Sequence, residues 1–164
     1  MKVDKNEIGH KGRIWIFASV QIFTDDDKRY IRDANDLFTS QWVAHQRPVK
    51  GAWDMVEGQM LVFFAEESYN EVSGCSIDSL FAHIKNVEKG INKILTDRTL
   101  VFYETKEGLK AKPFNQVKKA ISEGEITQST IVYDNTIKYK EQLLNDWKKP
   151  AEHTWLKKYL NIVV

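Results

Sequence analysis

Met60-Leu61-Val62-Phe63-Phe64-Ala65 constrains this chain more than any other stretch. It is apolar at every position, so no face of a strand built from it can meet water. Such a run reads as a central strand covered on both sides. The strand reads as 59–65 and residues 52–56 as a second one, and Glu57-Gly58 between the two suits a tight hairpin turn. Glu66-Glu67-Ser68 then closes the run as a polar strand end.

Upstream, residues 13–19 form another short apolar run rich in β-formers. Thr24-Asp25-Asp26-Asp27 follows. Thr24 can cap a helix, and three carboxylates suit its positive end. Tyr30, Ile31, Ala34, Leu37, Phe38 and Trp42 recur at helical spacing, and Pro48 predicts an end near residues 45–47. Downstream, Ile77, Leu80, Phe81, Ile84 and Val87 form one stripe of a second helix, with Gly90 as its stop.

Residues 99–104 and 109–112 read as strands around a Lys106-Glu107-Gly108 turn. Asn115 caps a short helix over 116–123 that ends at Gly124, and 130–133 is a last strand. Residues 140–147 and 150–160 read as terminal helices. The start runs strand-helix-strand-strand-helix-strand. This predicts an α+β protein, a mostly antiparallel or mixed sheet with helices packed on it and a helical C-terminus. Residues 1–98 make an α/β core unit and 99–164 a smaller α+β unit packed against it, or the whole is one domain.

Apolar residues are 42% of the 164, enough for a packed core. The net charge is only +1, so no large single-sign field exists to attract nucleic acid or an anionic membrane. One cysteine cannot form an internal disulfide or a zinc set alone, and it suits a reducing compartment. The polar N-terminus lacks the apolar run of a signal peptide, and no run approaches bilayer length. The expectation is a cytoplasmic protein.

Chemistry-bearing residues gather in Ser73-Gly74-Cys75-Ser76-Ile77-Asp78-Ser79 at a helix start. Unpaired N–H groups there can bind an anion or lower a thiol pKa. Capping is the simpler reading: Ser76 accepts from the N–H of Asp78 or Ser79, and Asp78 favours the helix dipole. A nucleophilic Cys75 needs a base. His83 lies eight residues on, at roughly 11 to 12 Å of axial rise. Asp78 also disfavours a thiolate. Ser73, Cys75, Ser76, Asp78 and Ser79 are thus a candidate ligand site, with catalysis by Cys75 as the rival.

No metal set is expected. Glu66 and Glu67 are adjacent on a strand and point to opposite faces. The four histidines lack ligand spacing. Lys138, Tyr139, Lys140, Trp147, Lys148, Lys149, Trp155, Lys157, Lys158 and Tyr159 interleave bases with aromatics, as single-stranded nucleic-acid sites do, but Glu141, Asp146 and Glu152 weaken that reading.

Gly12-Arg13-Ile14-Trp15, the Ser73–Ser79 string and Gly124-Glu125-Ile126-Thr127 are similar to a family of small Bacteroidetes proteins often labelled "ABC transporter ATPase". The resemblance covers most of the chain. No Gly-x-x-x-x-Gly-Lys-Ser/Thr segment is present, so ATP hydrolysis is assigned to no residue. Within residues 99–151, Phe102-Tyr103, Lys112-Pro113-Phe114, Ala120 to Thr127, Thr130 to Tyr133 and Trp147 to Ala151 are similar to a bacterial GYF-like module. That similarity implies an aromatic groove for an extended peptide, with Tyr103, Phe114, Tyr133 and Trp147 as the matching residues.

The resulting expectation is a non-catalytic binding or protein-interaction protein without a cofactor. Its partner is a protein or peptide, with a small anion near Ser76 as a further ligand. The rival is a thiol-dependent enzyme or redox sensor using Cys75. Ile162-Val163-Val164 is a candidate contact between copies.

Overall fold

The computed structural model describes residues 1–67 and 72–160. Helix takes 37% and strand 27% of the described residues, and the sheets pair antiparallel, which makes the fold α+β. The chain divides into two compact units, residues 1–96 with 138–141 and residues 97–137 with 142–164.

The first unit is built on β1 (Arg13–Ala18), β4 (Gly51–Val56) and β5 (Met60–Ala65), in the order β1-β5-β4. The all-apolar run is the middle strand and is buried at every position. Trp15 and Phe17 of β1 and Leu61, Phe63 and Ala65 of β5 share one face. Against them pack α1 (Asp25–Gln41) and α2 (Gly74–Ile91), through Ile31, Leu80, Ile84, Val87 and Ile91. Glu57 and Gly58 both have positive φ, and Gln59 N–H closes their turn onto Val56 O at 3.2 Å.

Local chemistry sets the helix ends. At α1 the Thr24 hydroxyl accepts from Asp27 N–H (3.1 Å) while Asp27 accepts from Thr24 N–H (2.9 Å), a reciprocal capping box. Asp27 also takes the Lys93 ammonium at 2.6 Å. Burial pushes its carboxyl up, but Lys93 and Thr24 more than offset this and hold it below the usual range.

Helix α1 ends at Gln41, short of the expected 45–47. Trp42 leaves the helix to bury its indole. His45 and Gln46, both at positive φ, then turn the chain between β2 (Val43–Ala44) and β3 (Arg47–Pro48). Gly90 is not the stop of α2. The helix runs to Ile91 and ends on Asn92 in the left-handed region. Gly90 instead leaves room for Tyr30, whose ring would lie 2.2 Å from a Cβ there.

In the second unit the sheet order is β7-β6-β8-β9, with β6 (Leu100–Thr105), β7 (Gly108–Pro113), β8 (Ile131–Tyr133) and β9 (Lys148–Pro150). α3 (Val117–Ser122) and α5 (Lys157–Leu160) supply Val117, Ala120, Ile121 and Leu160 to its core, beside Val101, Tyr103 and Val132. The terminal helices are much shorter than expected. α4 is only Gln142–Asn145, because Lys148–Pro150 pairs with β8 as a fourth strand. Among the described residues no helix is long and apolar enough to cross a membrane. Ser68 and the Ile162–Val164 contact lie outside the described residues.

Candidate functional site

At the start of α2, the N-cap is Ser73 rather than Ser76. Ser73 Oγ accepts from Ser76 N–H at 3.2 Å. Ser76 is fully buried; its hydroxyl donates to Ser73 O at 2.8 Å, and its carbonyl accepts from Trp42 Nε1 at 2.9 Å. Ser79 Oγ donates to the same carbonyl at 2.8 Å. The small hydroxyls therefore finish the first turn and anchor it to Trp42. Asp78 and Cys75 are exposed, and the thiol is free. Among the described residues, none hydrogen-bonds Cys75.

His83 serves α1 and not the thiol. Its Nε2 meets Asn35 Oδ1 at 2.7 Å, and its ring stacks on Phe38 with centroids 4.3 Å apart. Burial lowers its pKa to about 4, so the ring is neutral at ordinary pH. His45, His10 and His153 are exposed. Glu66 accepts from Gly9 N–H at 2.6 Å and Glu67 pairs with Arg13 at 3.3 Å, so these carboxylates diverge. Among the described residues no three His, Cys, Asp or Glu side chains are grouped to hold a metal.

The four aromatics named for a peptide groove do not share one surface. Tyr103 is in the core of the second unit, and its hydroxyl donates to Glu125 at 2.5 Å. Burial and that carboxylate push its pKa up. Tyr133 and Trp147 are buried and meet edge to face, centroids 5.4 Å apart. Tyr133 donates to Glu104, and Trp147 Nε1 to Asn135 Oδ1. Phe114 alone is on the surface, 55% exposed.

Phe114 has other partners there. It stacks on Trp155 at 5.3 Å, and Trp155 meets Tyr159 edge-on at 6.0 Å. Trp155 is 45% exposed. Phe114 and Tyr159 line a hollow of about 200 Å³ with Val117 and Lys118. Trp155 lines another of about 300 Å³ with Tyr133, Asp146 and His153.

No family model, curated protein or solved structure matches this chain.

Phe114 and Trp155 thus form an exposed pair of stacked rings on the second unit, with a hollow beside each. Trp155 and Tyr159 were visible in the sequence only as members of the basic and aromatic run. No local pattern separates their surface position from the burial of Trp147.

Proposed function

We propose that this protein is a non-catalytic binding protein whose second unit holds an extended peptide on the Phe114–Trp155–Tyr159 surface. The observation that carries the reading is the exposed Phe114–Trp155 stack. Rigid aromatic platforms capture extended chains at small entropic cost, because the ligand enters preformed. The resemblance read in residues 99–151 to a GYF-like module implies the same class of ligand, on a set of rings that shares only Phe114 with this surface. A reducing, cytoplasmic setting agrees with the single exposed thiol of Cys75. The uses of Ser73, Ser76 and Ser79 in capping favour this reading over a thiol enzyme.

The test is a random-peptide display library panned on the whole chain. The reading expects enriched peptides whose binding falls at least about tenfold in Trp155→Ala and is unchanged in Cys75→Ser. Circular dichroism establishes that each variant is folded. Enriched peptides that ignore Trp155→Ala, or that depend on Cys75, contradict it.

A further inference from the structure

Two ammonium groups from different elements converge on the same ring. Lys118 Nζ, on α3, and Lys158 Nζ, on α5, each lie 4.8 Å from the Tyr159 centroid. Their separation is therefore within a Debye length at 0.1 M salt, about 10 Å, and their repulsion is poorly screened. Neither has a carboxylate partner among the described residues. Four other lysines of this unit do: Lys110 with Glu107, Lys112 with Glu125, Lys119 with Glu123 and Lys149 with Asp146. Lys106, Lys148 and Lys157 share the lack of one, but Lys118 and Lys158 are the pair that meets on Tyr159, and Lys118 lines the hollow shared by Phe114 and Tyr159.

We infer that the occupant of this surface is an acidic extended peptide, with its apolar residues on the Phe114–Trp155 pair and its carboxylates on Lys118 and Lys158. The inference rests on the peptide-binding reading above and names the partner's charge. A bound carboxylate relieves the repulsion between the two ammoniums and gives each the partner it lacks. Single-stranded nucleic acid fits less well. Its backbone needs a continuous basic track. The second unit carries ten Lys and Arg against eight Asp and Glu, a balance without such a track. The stacked rings also already cover one face of each other.

The test titrates the whole chain with fluorescein-labelled peptides alternating proline with glutamate, with glutamine or with lysine, and with oligothymidylate. The Pro-Glu peptide should bind at least about tenfold tighter than Pro-Gln, with the gap narrowing as salt rises. In the double variant Lys118→Glu, Lys158→Glu the preference should invert toward Pro-Lys. Equal binding of Pro-Glu and Pro-Gln, both lost in Trp155→Ala, overturns the charge assignment and leaves the peptide reading standing. No binding of any peptide overturns both. Tighter binding of oligothymidylate than of Pro-Glu overturns the inference in favour of nucleic acid.

Discussion

The indole Nε1 of Trp42 donates to the carbonyl oxygen of Ser76 across 2.9 Å, tying the end of α1 to the first turn of α2. Trp42 also meets Trp15 edge to face at 5.9 Å, so this link reaches β1. The serine-rich segment that looks most like a reaction centre is thereby part of the packing of two helices on a sheet.

A ranking of variants follows from that placement. Ser73→Ala removes the N-cap and should cost about 1 kcal/mol. Trp42→Phe leaves the buried Ser76 carbonyl with a weaker partner set and should cost about 2 kcal/mol. Cys75→Ser changes an exposed, unbonded side chain and should stay within about 0.5 kcal/mol. Urea unfolding of the three variants measures the order. A Cys75→Ser loss as large as that of Ser73→Ala would show that the thiol is part of the structure in a way its exposure does not suggest.

His83 makes stability depend on pH. The folded ring titrates at about 4 against 6.5 for an ordinary histidine. Between those values the unfolded chain binds a proton that the folded chain refuses. The contribution of the neutral ring is complete above pH 6.5 and is lost as the pH falls toward 4. Allowing for the ring's partial access to solvent, the loss is about 2 kcal/mol. His83→Gln keeps a donor for Asn35 but cannot take up a proton. Its unfolding free energy should therefore change less between pH 6.5 and 4 than that of the wild type. Parallel slopes would contradict the account.

Glu88 is a buried carboxylate that serves the chain after α2. It accepts from Leu95 N–H at 2.7 Å and Thr96 N–H at 3.3 Å, and Lys85 lies at 3.0 Å. Burial pushes its carboxyl up, but these donors outweigh that and hold it below the usual range. Glu88→Ala strands a buried donor and should cost about 2 to 3 kcal/mol in urea unfolding. Glu88→Gln, which keeps one acceptor oxygen, should cost less.

How far these features could be read from the sequence depends on whether their causes are local. The Thr24–Asp27 box and the all-apolar β5 were legible, because capping and burial on two faces are written in neighbouring residues. Ser73 and Ser76 are both competent caps, and the choice between them follows from where Trp42 buries, 34 residues away in sequence. β9 was missed for a similar reason. Lys148–Pro150 is extended because it pairs with Ile131–Tyr133, not because of its own composition. At the candidate surface, Phe114 entered the sequence reading only through the resemblance to a GYF-like module. Trp155 was not singled out, since an exposed tryptophan and a buried one look alike in a single sequence.

Gly90 offers a sign reversal. Alanine is the better helix former by about 1 kcal/mol, yet its Cβ would meet the Tyr30 ring. Gly90→Ala should destabilise the wild-type chain and stabilise a Tyr30→Ala background. A double-mutant cycle by thermal unfolding measures the coupling. Stabilisation in both backgrounds would mean that the helices do not approach here as described.

The exposed stack of Phe114 and Trp155 is the centre of the functional account, and the five tryptophan indole N–H signals test it most directly. In a ¹⁵N spectrum of the whole chain titrated with the Pro-Glu peptide, the Trp155 indole resonance should shift with saturation. Those of Trp15 and Trp42, buried in the first unit, should stay in place. A saturable shift at Trp15 or Trp42 with Trp155 unmoved would contradict the account.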